Sequence, residues 1–169
     1  MQETNAKLTE RKKRIYNFIN KTSVGVLASV DPNGEPHASV IYHCINKNDF
    51  TISFLTKKNT KKYDNLTHKN HVILVIFDLQ TQTVAQVFGR TREVTDPDDI
   101  NSIATLINKV SVKISKNTIL PIAKLEAGEF AAFTISPFQI RMACYVQPHS
   151  GDYSPTFDSI ESFELNSTT

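Results

Sequence analysis

A Val-rich stretch, Val24–Val30, stops at Asp31-Pro32-Asn33-Gly34, and the chain resumes at Pro36 with another strand-forming run. Proline presets φ for a turn and glycine supplies a positive φ, so the chain doubles back here as a hairpin. Pro36–Ile45 is the return strand. Asn46-Lys47-Asn48-Asp49 then makes a second turn, and Phe50–Thr56 a third strand. Turn-prone clusters between β-rich runs read as a meander.

The remaining segments fill in around this meander. Leu8, Ile15, Phe18 and Ile19 recur at helical spacing, which predicts an amphipathic helix over 6–21. Residues 60–69 suit a short helix, Val72–Leu79 a strand buried on both faces, and Val84–Val94 a long strand in which Gly89 signals a bulge or a close backbone approach. Asp96-Pro97-Asp98-Asp99 is a helix start: Asp96 caps, Pro97 fits the first turn, and the carboxylates sit at the positive dipole end. Ile100, Ile103, Ala104, Ile107 and Val110 form that helix's apolar stripe. Residues 111–128 read as a connection with a helical turn. Phe130–Ser136 and Ile140–Val146 read as two further strands around Ser136-Pro137. Hairpin connections without βαβ alternation predict an antiparallel α+β domain, a small closed or split barrel, over residues 1–146. Residues 147–169 hold four acids and no Lys or Arg, and read as a partly disordered acidic tail.

Several function classes are excluded or disfavoured. The longest apolar run, Val72–Phe77, is far short of the ~18 residues of a membrane span. Residues 1–21 are too charged for a secretory leader, so the expectation is a soluble cytoplasmic protein without membrane partners. Cys44 and Cys144 carry no metal-ligand spacing and read as core residues. The nucleotide-binding, P-loop, zinc-protease and serine-hydrolase signatures are absent. His68 and His71 suit a helix end rather than a metal, and no metal site is expected. Phe50, Phe54 and Phe88 are spaced for a core rather than for stacking bases, so no nucleic acid is expected.

Charge is unevenly placed. The net charge is only +2, yet residues 57–71 hold five Lys against Asp64. Inside this patch, Thr60-Lys61-Lys62 follows a strand end and opens a short helix. Free backbone amides and the helix dipole favour an anion there, and phosphate is the obvious one. The same residues also suit a solvated, Lys-rich helix start.

Taken in order, Val24–Val30, the 31–34 turn, Pro36-His37-Ala38-Ser39, the segment from Thr56 through Thr60-Lys61-Lys62 to Asn65-Leu66, Asp78, Val84–Gly89 and Ile135-Ser136-Pro137 resemble the pyridoxamine 5′-phosphate oxidase-like FMN-binding split barrels. The similarity covers roughly residues 10–146. It implies a six-stranded antiparallel Greek-key split β-barrel with flanking helices, a homodimer, and FMN bound between subunits, with a deazaflavin or haem as alternatives. Carried over by position, Thr60, Lys61 and Lys62 hold the FMN phosphate, and Leu55 and Thr56 lie beside the flavin ring. His37 and Ser39 stand on the second strand, with His37 where the family often has Arg. Gln86 stands for an amide that reaches the flavin.

The departures bear on substrate. The chain reads Phe138-Gln139-Ile140-Arg141-Met142-Ala143 where the family often carries a basic and aromatic cluster, and the C-terminal Arg-x-His element of true pyridoxamine phosphate oxidases is missing. The resemblance is therefore to a general member of the superfamily. It implies an oxidoreductase that passes a hydride between FMN and a small organic substrate or reduced nicotinamide. A flavin- or haem-binding stress or storage protein on the same barrel is the alternative. No residue is forced into the role of general acid or base; His43, Tyr42 and Tyr145 qualify by residue type alone.

Overall fold

The structure, a computed structural model, describes residues 5–115, 129–145 and 156–161, with side chains described over 6–112 and 129–145. In chain order the elements are α1 (Asn5–Lys21), β1 (Val24–Val30), β2 (Pro36–Ile45), β3 (Ile52–Lys57), α2 (Lys61–His68), β4 (His71–Asp78), β5 (Thr83–Val94), α3 (Pro97–Ser115), β6 (Phe130–Cys144) and β7 (Thr156–Glu161). The sheet order is β3-β2-β1-β4-β5-β6-β7, and a β3–β6 ladder closes the first six strands into an antiparallel barrel. β4 returns to lie beside β1 at the far side of the β1–β2–β3 meander, which is Greek-key order.

Local chemistry accounts for the first hairpin. The Asp31 carboxylate accepts the amides of Asn33 and Glu35, both at 2.9 Å, while Gly34 takes the positive φ of 89°. Inside the barrel, Leu27, Ile52, Phe54, Leu74, Ile76, Val87, Phe133 and Ile140 form one apolar core, sealed by Ile15 and Ile19 of α1. The Phe54 and Phe133 rings stack at 5.8 Å. The third strand begins at Ile52 rather than at Phe50. Phe50 sits in the turn at φ 59°, buried edge-on against Tyr16 of α1.

β6 is a single strand through Pro137, not two. Its register against β5 shifts between Phe88 and Gly89, which face Gln139 and Pro137, so Phe138 is the extra residue of a bulge. The bulge resets the alternation: Phe133 and Ile135 are buried before it, Ile140 and Met142 after it. It also tolerates a proline, which has no amide to give the ladder. A side chain at Gly89 would meet the Ser136 carbonyl at 2.8 Å and Ile135 Cγ2 at 2.5 Å, so the close approach requires glycine.

β6 also divides its second edge. Its first half, Phe130–Ile135, pairs with β3 and closes the barrel, whereas Gln139–Cys144 pairs with β7. This corrects the expected boundary at residue 146, because Thr156–Glu161 of the acidic tail is a strand of the sheet. The far half of β6 leaves β3 and offers an edge that β7 occupies. Residues 147–155 and 162–169 of the tail lie outside the described residues, as do 116–128 of the expected connection. α3 covers the outer faces of β2, β3 and β6, where Ile103 and Ile107 pack with Ala132, Tyr42, Cys44 and Leu55. No helix among the described residues is long and apolar enough to cross a membrane.

β4 alternates rather than being buried on both faces. Val72, Leu74 and Ile76 point into the core, while Phe77 is 51% exposed on the outer face. Val26 and Val40, paired across β1 and β2, are 41% and 64% exposed beside it.

Candidate functional site

The β3–α2 junction is built on two threonines. Thr60 caps α2: its Oγ1 accepts the Tyr63 amide at 3.3 Å and donates to the Lys57 carbonyl at 2.8 Å. Thr56 Oγ1 lies 3.4 Å from the same carbonyl, to which it donates, and 3.3 Å from Thr60 Oγ1. The amides of Lys61 and Lys62 lie in the first turn, where a helix has no carbonyl of its own to offer them. Strand end, cap and open amides therefore converge at one point.

The two lysines of this point differ in surroundings. Asn65 and Leu66 are the buried residues of α2. Lys62 precedes them by three and four positions and shares their inward face, where it is half-buried. Burial pushes the Lys62 ammonium pKa down from its ordinary value, and no carboxylate among the described residues compensates it. Lys61 lies to the side and stays exposed, with Nζ 3.5 Å from Asp31 Oδ2. The Glu35 amide, helped by the Asn33 amide and the Lys61 charge, holds the Asp31 carboxyl below its ordinary pKa against the opposing effect of burial.

Beside α2 the β2–β3 ladder stops short. β2 pairs with β1 from Pro36 to Tyr42, but its ladder with β3 spans only His43–Ile45. His37 and Ser39 stand on this stretch, on the same strand face as buried Ile41. His37 Nδ1 and Ser39 Oγ are buried without a hydrogen-bond partner. Opposite them on β1, Ser29 pairs with His37 in register and accepts the Asn65 side-chain amide at 3.4 Å. Two orphaned polar atoms and an uncompensated ammonium are the groups a phosphate-bearing ligand would satisfy, and the residues present fit it.

Two of the expected site residues lie elsewhere. Leu55 points away from Thr56 and packs under α3. Gln86 is on the outer face of β5, between Val75 of β4 and Arg141 of β6, in a row that continues through Val26 to Val40. Arg141 also lies over the Phe88 ring, 5.2 Å from its centroid. Of the candidates for acid or base, Tyr42 is under α3, Tyr145 is exposed, and His43 is wholly buried in the barrel. His71 accepts from Arg90 Nε at 3.2 Å rather than joining His68, and no metal-binding cluster occurs among the described residues. A groove of about 510 Å³ between α3 and the β2–β3 turn carries Asp49, Glu93, Asp96 and Asp99, a charge opposite to that of the β3–α2 junction.

Sequence reasoning missed the roles of Asp31, Ser29 and Asn65. Asp31 was visible as a turn former and Asn65 as part of a polar helix, both within segments that carry the resemblance but with no role assigned.

The pattern of the family described as Pyridoxamine 5′-phosphate oxidase matches residues 12–144. No curated protein sequence matches the chain. Among solved structures, General Stress Protein 26 from Bacillus anthracis is similar at a TM-score of 0.57 and 22% identity, over 78% of this chain and 92% of that one. A pyridoxamine 5′-phosphate oxidase-related, FMN binding protein from Nostoc punctiforme gives 0.55 and 12%, over 95% of this chain and all of that one. A heme binding protein from Mycobacterium smegmatis gives 0.62 and 14%, over 98% of this chain and 61% of that one. At these identities the structures speak for the fold, and the family pattern speaks for kinship. The chain belongs to the pyridoxamine 5′-phosphate oxidase family.

Proposed function

We propose that the protein is an FMN-dependent oxidoreductase acting on a small organic substrate or reduced nicotinamide. The observation that carries this reading is the half-buried Lys62 ammonium, set at the N-terminus of α2 with no counter-charge among the described residues. Thr60 fixes the helix start, and the open amides of Lys61 and Lys62 add donors to the same anion. His37 Nδ1 and Ser39 Oγ, buried and unpartnered where the β2–β3 ladder stops, supply further polar contacts. When bound there, the flavin supplies hydride chemistry; this chain's residues bind and orient it.

In this reading the protein is a homodimer. The outer face carries Val26, Val40 and Phe77 exposed side by side, an apolar patch that a second subunit would cover. Gln86 lies on that face, so it meets a flavin across the subunit interface rather than within its own chain.

Fluorescence titration of the apoprotein tests the reading. FMN should bind more tightly than riboflavin, which lacks the phosphate. Replacing Lys61 and Lys62 together by Ala should weaken FMN about a hundredfold, from the loss of charge-assisted hydrogen bonds at 1.4 kcal/mol per decade. Replacing Lys57 and Lys58 should change it by less than about threefold, as for screened surface charge. A purified protein with a Soret band and no flavin affinity would favour the haem-binding alternative, for which the Mycobacterium smegmatis neighbour is the precedent. Flavin binding without consumption of reduced nicotinamide or any tested substrate would favour a storage role.

A further inference from the structure

We propose that Asp31 is the resident counter-ion of Lys61, so that the two adjacent lysines divide their work: Lys62 holds the phosphate, and Asp31 sets its affinity by retaining Lys61. The inference rests on the phosphate reading of the β3–α2 junction.

The geometry separates the two carboxylate oxygens. Asp31 Oδ1 accepts the Asn33 and Glu35 amides and so belongs to the hairpin, while Oδ2 faces Lys61 Nζ at 3.5 Å. The Asp31 side chain is 8% exposed and fixed by the turn, whereas the Lys61 side chain is 63% exposed. The lysine is therefore the movable partner. A phosphate that recruits it must draw it from a fixed anion. Lys62 has no such constraint: it shares the inward face of α2 with Asn65 and Leu66, and no carboxylate among the described residues pairs with it. Asp31 is thus a positioning residue, acting on the ligand through Lys61.

Asp31→Asn is the informative change, because the Asn side-chain oxygen still accepts the two turn amides while the charge is lost. FMN affinity of this variant should rise about three- to fivefold, the range of a partly exposed ion pair. Riboflavin affinity should stay unchanged, which also reports that the site is folded. Lys62→Ala should weaken FMN about fiftyfold and Lys61→Ala by less than about twofold. In a Lys61→Ala background the gain from Asp31→Asn should vanish, which a merely structural role of Asp31 would not produce. If wild-type protein binds FMN and riboflavin equally, both the phosphate reading and this inference fail. If the preference for FMN holds but Lys61→Ala costs as much as Lys62→Ala, or Asp31→Asn does not tighten FMN, this inference alone is overturned.

Discussion

Asn65 of α2 donates its side-chain amide to the Ser29 hydroxyl of β1 at 3.4 Å, and both residues are buried. This bond ties the helix that starts at the two lysines to the wall of the barrel. Removing either partner strands the other in a dry environment, which costs ~1–3 kcal/mol. Ser29→Ala and Asn65→Ala should each lower stability by about that amount in urea unfolding. The double variant should lose less than the sum, because the two share one interaction. Strict additivity would show that the bond contributes nothing.

His43 makes stability depend on acid. It is fully buried, and burial is the main cause lowering its pKa from 6.5 to about 4, against a backbone contact at Thr22 that raises it. The unfolded chain therefore binds a proton that the folded one refuses. Stability is intact above the unfolded value of 6.5 and falls as pH drops toward 4, by ~3 kcal/mol over that window. His43→Leu should flatten this part of the profile in urea melts between pH 7.5 and 4.5. A slope equal to that of wild type would assign the acid sensitivity to other groups.

The exposed outer face predicts association. Val40→Lys, at a position 64% exposed in the single chain, should scarcely change monomer stability. It should nevertheless shift light-scattering mass at micromolar concentration from twice that of one chain to that of one chain. A wild-type protein that is already monomeric would remove the basis for placing Gln86 at an interface.

Asp96 caps α3 through Oδ1, which accepts the amides of Asp98 at 3.0 Å and Asp99 at 3.1 Å. Asp96→Ala should cost ~1 kcal/mol in thermal or chemical unfolding. FMN affinity should be unchanged, since α3 packs on the face of β3 opposite to Thr56. Loss of flavin from a folded Asp96→Ala protein would show that the cofactor lies under α3 instead.

What could be read from the chain alone is what a few neighbouring residues enforce. Pro32 and Gly34 bend the first hairpin, and Asp96 and Pro97 start α3, each through its own backbone or a partner within about four residues. Thr60 as a cap belongs to the same group. Tertiary structure decided which groups meet over distance. Lys61 and Lys62 are adjacent and chemically alike, yet a helix turns about 100° between neighbours. That rotation, with the barrel behind it, gives Asp31 to one and leaves the other without a carboxylate among the described residues. The extra residue at Phe138 kept β6 as one strand, which no periodicity shows because a bulge inverts the alternation. Strand alternation likewise sent Thr56 toward the site and Leu55 under α3, and Gln86 to a separate face. Pairing of β7 with β6 drew part of the acidic tail into the sheet, because an open strand edge recruits backbone rather than a particular sequence.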